Sequence, residues 1–187
     1  MMKYLTLLAA LLLASPAFAH MDPAEHGSIA AGFTHPLFGL DHVLAMIVVG
    51  LWAAQIGGWA IWSVPLGFVS AMLAGFLASL AGVPLPVVEP VILASSVILG
   101  LLVALAVQPQ THWAMLTVAG FALFHGHAHG SELGAAEALP YGAGFLMATI
   151  VLHAFGTLIG ASLQRFQLPL RILGGGTALA GVIIAVG

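Results

Sequence analysis

Six long apolar stretches, separated by short polar or Gly/Pro-rich breaks, account for most of this chain. They run at roughly 35–55, 61–81, 89–107, 113–131, 140–162 and 169–187. Each is near the ~20 residues that a helix needs to span a bilayer. Gly57-Gly58 separates the first two, Pro84, Pro86 and Pro90 mark the next turn, and Gln108-Pro109-Gln110 the one after. The pattern predicts an all-α, polytopic transmembrane helix bundle, because helices satisfy their own backbone groups in lipid. The breaks are short, so sequential helices are expected to be antiparallel neighbours.

Ahead of these segments, residues 1–19 read as a cleaved secretory signal peptide. Lys3 supplies the positive start, Leu5 to Leu13 the apolar core, and Ala17-Phe18-Ala19 the small-residue cleavage site. An uncleaved first span is the alternative, but the apolar core is short and Pro16 interrupts it. Residues 20–34 then form a polar periplasmic tail with Asp22, Glu25 and His26, and 35–187 form the six-helix transmembrane domain.

Composition sharpens the class. Hydrophobic residues make up 61% of the chain and charged residues 5%, against about 25% charged in an ordinary soluble domain. The absence of cysteine removes disulfides, thiolate metal sites and iron–sulfur clusters. Three basic residues argue against a nucleic-acid partner. The partner that composition implies is a lipid bilayer.

Charge also predicts orientation. An exported N-terminus sends the first span inward and places Arg165 and Arg171, around the loop after the fifth span, in the cytoplasm. Both termini are then outside, and every acidic residue except Asp41 lies on the outer side. Gly67, Ala71 and Gly75, and likewise Gly156 and Gly160, form small-residue stripes for helix packing. Six spans permit a three-plus-three inverted repeat. The two polar motifs, however, sit at one membrane face, at opposite ends of their halves, and the sequence offers no positive support for it.

Those motifs carry the chemistry. Phe124-His125-Gly126-His127-Ala128-His129-Gly130-Ser131-Glu132 closes the fourth span. At about 100° per residue His125, His129 and Glu132 share one helical face, while His127 points away. Imidazole and carboxylate donors suit a borderline cation such as nickel, cobalt, zinc or copper; magnesium and calcium prefer all-oxygen shells. The first span opens with His35-Pro36-Leu37-Phe38-Gly39-Leu40-Asp41-His42, with Met46 on the stripe of His35 and His42. Pro36 is expected at a helix start. In an unbroken helix His35 and His42 stand about 10 Å apart along the axis, so either Gly39 breaks the helix or they serve successive positions on a path. Asp41 is either a ligand or the partner that orients a histidine.

Further candidates are His153 in mid-membrane, Glu89 at the start of the third span, His127 against a different helix or on an entry route, and His20. At a newly cleaved terminus, the amine and imidazole of His20 would chelate metal together. For His153 the rival reading is a neutral imidazole bonded to a backbone carbonyl; for Glu89 it is a helix-dipole partner.

The His35-x5-Asp41-His42 and Phe124–Glu132 motifs, in a chain of this length and span count, resemble the HupE/UreJ family of nickel permeases. The resemblance implies nickel uptake across the bacterial cytoplasmic membrane, feeding hydrogenase or urease maturation. It implies a functional set of His35, Asp41, His42, His125, His129 and Glu132, with Glu89 and Phe68 as weaker carry-overs. Cobalt remains an alternative cargo. No cofactor is expected to be permanently bound, and Ni2+ is the transported substrate. With no G-x-x-x-x-G-K-[ST], this chain hydrolyses no ATP and no ATPase subunit is implied, which leaves a facilitator or secondary transporter. The rival classes are an intramembrane metalloenzyme, which would need a general base and an open coordination position, and a haem-binding electron carrier.

Overall fold

The computed structural model describes residues 28–133 and 136–187. The expected signal peptide, the tail up to residue 27 and His20 lie outside them. The described residues form seven helices and no strand: α1 (Ser28–Phe38), α2 (Leu40–Ile56), α3 (Ala60–Leu80), α4 (Val88–Ala104), α5 (Thr111–Ser131), α6 (Ala138–Leu163) and α7 (Gln167–Val186).

The expected first span is broken in two. α1 and α2 meet at Gly39 with a bend of 89°, and residues 28–34, expected in the polar tail, are the opening turns of α1. Pro36 stands near the end of α1, not at a helix start. It has no N–H for the carbonyl four residues back, which weakens that last turn. Gly39 is extended (φ −87, ψ 104), and α2 starts afresh with Asp41 in its first turn, where the helix dipole favours a carboxylate.

By length and apolarity α3, α6 and α7 each suffice to cross a membrane, and α1 with α2 makes a fourth if the broken pair counts as one. α4 is apolar but only 17 residues long. α5 has 21 residues, four of them histidine. The outer surface is apolar: Leu139, Trp59 and Leu158 are 84%, 77% and 70% exposed. A helical bundle that turns such side chains outward is a membrane protein.

The expectation of antiparallel sequential neighbours is corrected by the packing. The most extensive contacts join α3 to α5, α2 to α6, α4 to α7 and α1 to α6. Glycines decide these partners. A Cβ on Gly126 would overlap the Met72 carbonyl, and one on Gly75 the Leu123 carbonyl, so α5 and α3 touch backbone to backbone. Gly50 against His153 and Gly156 against Ile47 do the same for α2 and α6, and Gly100 against Gly174 for α4 and α7. In lipid, close backbone approach supplies the association energy that water would otherwise drive, so small-residue seams outrank loop length. Met46, Trp52, Phe68, Met72 and Phe145 fill the core between the pairs.

Candidate metal pathway

The fourth-span motif is ordered by its glycines. Gly126 and Gly130 face α3, against Met72, Phe76 and Ser79. That fixes the rotation of α5 and turns His125 and His129, one helical turn apart, into the bundle, where both are fully buried. His127 is diverted: its Nε2–H donates to the Val83 carbonyl at 2.9 Å, after the end of α3. Glu132 follows the last helical residue, its N–H donating to the Ala128 carbonyl. Its Oε2 lies 2.7 Å from His35 Nε2.

The bend at Gly39 brings His35 and His42 to the same partner. The His35 and His129 ring centroids are 5.3 Å apart, and those of His42 and His129 5.1 Å. One ligand atom each from His35, His129 and Glu132 falls within 4.8 Å of the others. Phe145 stacks on His129 at 4.9 Å, and Tyr141 stands 5.9 Å from His35. The helix does break at Gly39, and His35 and His42 still stand at successive positions, on either side of His129.

Below this cluster the histidines continue in file. His42 and His125 meet edge to face at 4.9 Å. The Phe68 ring then lies 5.6 Å from His125 and 4.9 Å from His153. The file therefore runs from Glu132 and His35 through His129, His42 and His125, past Phe68, to His153 in mid-bundle.

Hydrogen bonds fix one nitrogen of each ring below His129. Asp41 Oδ1 accepts from the His42 backbone N–H and, at 3.0 Å, from His42 Nδ1–H. Ser95 commits its hydroxyl proton to the Ile92 carbonyl at 2.6 Å, so its oxygen accepts from His125 Nε2–H at 3.0 Å. His153 Nδ1–H donates to the Met46 carbonyl at 2.7 Å. Among the described residues the remaining atoms, His42 Nε2, His125 Nδ1 and His153 Nε2, are buried and have no hydrogen-bond partner; neither nitrogen of His129 has one. Buried polar atoms are nearly always satisfied. A neutral imidazole with one N–H held in place presents its other nitrogen as a lone-pair donor, the arrangement seen around metal-ligating histidines.

Sequence reasoning missed Ser95, whose role arises only where α4 meets α5, and Phe145 and Tyr141, which look like ordinary core aromatics. Met46 takes part through its carbonyl, its side chain being buried in the core. Glu89 sits exposed in the first turn of α4, and among the described residues no contact joins it to the histidine file.

A family model described as HupE / UreJ protein matches residues 8–184. The chain belongs to the HupE/UreJ family. Protein HupE of Rhizobium leguminosarum bv. viciae is 46% identical over 190 aligned residues, covering 99% of this chain and 98% of the relative. No solved structure matches the chain.

In this HupE/UreJ protein the donors are nitrogen and carboxylate oxygen, with no thiolate available. That set favours borderline first-row divalent ions. The file has its charged groups, Glu132 and Asp41, at one end and only neutral donors deeper in. A cation would meet attraction on entry and weaker sites as it moves inward, which a conducting path requires.

Proposed function

We infer that this protein carries nickel inward across the bacterial cytoplasmic membrane, as a facilitator or secondary transporter supplying hydrogenase or urease maturation. The observation that carries the reading is the continuous file of histidines whose lone-pair nitrogens are buried without partners. Buried polar atoms in series without protein partners call for a bound ion or water, and a path for a partly dehydrated cation supplies that occupant. His35, His129 and Glu132 form the capture site. His42, oriented by Asp41, and His125, oriented by Ser95, receive the ion, and His153 lies beyond the Phe68 ring.

In this reading α2 to α7 are six spans, with α1 lying across the mouth, and both termini are outside. Arg165 and Arg171 support the orientation: they lie at the bundle end opposite the capture site, where Arg171 Nε donates to the Ala104 carbonyl at 2.7 Å, and basic residues mark the cytoplasmic side.

The test is uptake of radioactive nickel by cells lacking their own nickel transporters, with and without excess cobalt, copper and zinc. His42→Ala and Glu132→Gln, checked for membrane insertion, run beside the parent. Uptake by the parent alone is the expected result. Displacement by cobalt would make cobalt the cargo, and no uptake of any metal by an inserted parent would overturn the reading.

A further inference from the structure

The close approaches between helices repeat with a fixed register. On α2, Ile47 and Gly50 meet Gly156 and His153 of α6; on α5, Leu123 and Gly126 meet Gly75 and Met72 of α3. Leu123 and Gly126 each lie 76 residues after Ile47 and Gly50, and Gly156 and His153 each lie 81 after Gly75 and Met72. Further pairs keep these offsets. Gly50 also approaches Thr157 N, and Gly126 approaches Phe76 N; Gly160 meets Ala54, and Gly130 meets Ser79. In α4 and α7, Gly100 meets Ala178 and Gly174 meets Ala104, images at an offset of 74. Even the mid-bundle contacts pair up: the Phe68 ring lies 4.9 Å from His153, and Thr149 Oγ1 donates to Met72 Sδ at 3.6 Å.

This register relates α2–α3–α4 to α5–α6–α7 by a two-fold axis. Three spans per half are an odd number, so the axis lies in the membrane plane and the halves are inverted. The symmetry is broken where helices approach and their images do not: α2 packs on α3 and on α4 and α6 touches α7, whereas among the described residues the images α5 with α6, α5 with α7 and α3 with α4 make no comparable backbone approach. At the end opposite the capture site α2 is tied to α4: Trp52 Nε1–H donates to the Val107 carbonyl at 2.8 Å and Gln55 Nε2–H to the Val103 carbonyl at 3.1 Å. Gln108 Nε2–H adds a bond to the Gln55 carbonyl at 2.9 Å. The image of that closure, between α5 and α7 beside the capture site, is open; among the described residues these helices share no extensive contact.

We propose that the chain is an inverted repeat caught facing outward, and that it releases metal by exchanging the two arrangements. In the inward-facing state α2 leaves α4, opening the cytoplasmic end, and α5 closes onto α7, covering the capture site. The units that move are the glycine-locked pairs α2/α6 and α3/α5, and the histidine file runs along the seam between them. The proposal rests on the transport reading above and supplies its inner gate.

The chain has no cysteine, so paired cysteines report cleanly. Gln55→Cys with Gln108→Cys, bridged by a short cleavable bis-thiol reagent in membrane vesicles, holds the cytoplasmic end shut. Nickel uptake should fall to background while nickel binding at the outer face persists, and cleaving the bridge should restore uptake. The second pair is Ser131→Cys with Thr177→Cys, the images of Gln55 and Val103. It should cross-link when nickel is supplied and much less without it. Full uptake through the bridged first pair, or a second pair that never cross-links in a protein that still transports, would overturn the exchange. A parent that moves no nickel would instead overturn the transport reading itself.

Discussion

His35 Nε2 and Glu132 Oε2 lie 2.7 Å apart although 97 residues separate them in the chain. The contact joins the end of α1 to the residue just past α5, and it exists because the chain turns through 89° at Gly39. Both side chains are partly open to solvent, with exposures of 40% and 44%. The pair is thus the solvent-facing edge of a cluster whose third member, His129, is fully buried.

Glu132→Gln keeps the size and removes the charge. Its half-saturation for nickel uptake should rise about tenfold, equivalent to about 1.4 kcal/mol, with a smaller change in maximal rate. His35→Ala should act the same way. The double variant should cost less than the sum of the two, because they act on one site. Concentration dependence of initial uptake rates measures all three.

Asp41→Asn tests orientation. Asparagine still accepts a hydrogen bond from His42, but it no longer supplies the negative charge that makes the imidazole a better donor. Removing such a partner typically costs 10–100-fold in metal affinity (roughly, by analogy with other sites). Equilibrium binding of nickel to purified protein in detergent checks it. Ser95→Ala should have a milder effect, since Ser95 is a neutral hydroxyl.

His153→Ala should separate capture from transfer. The capture site is left intact, so equilibrium binding at the outer face should remain near that of the parent, while uptake falls. Parallel loss of both would show that His153 serves only to hold α6 to the Met46 carbonyl.

Gly126→Val and Gly156→Val force a side chain into a neighbouring backbone. Each should destabilise the bundle by about 1–3 kcal/mol or more and lower the thermal unfolding midpoint in detergent. Gly120→Ala and Gly175→Ala, where an added Cβ meets nothing within 4 Å, should leave it unchanged or slightly raised, because alanine favours helix.

The sequence by itself determined the helical membrane class and named most of the polar residues that the fold brings together. Apolar runs of span length admit only helices in lipid, so the segments near 61–81, 113–131, 140–162 and 169–187 reappear as α3, α5, α6 and α7 within a few residues. Helical periodicity separated His127 from His125 and His129, because that depends only on rotation about one axis. Where local signals competed, as between Pro36 and the apolar run after it, periodicity alone did not show where α1 ends.

Only the tertiary structure decided which helices are partners and what each nitrogen does. Glycine seams bring together α2 with α6 and α3 with α5, across distances in sequence that no local rule measures. That pairing places Ser95 against His125, the Met46 carbonyl against His153, and Phe68 between the two histidines. The repeat stayed hidden for a related reason. The histidines cluster toward one face of the bundle, so they occupy opposite ends of the two halves: His42 has Val118 as its image, and His125 and His129 have Val49 and Ala53. The shared feature is the spacing of backbone contacts, which side-chain chemistry does not record.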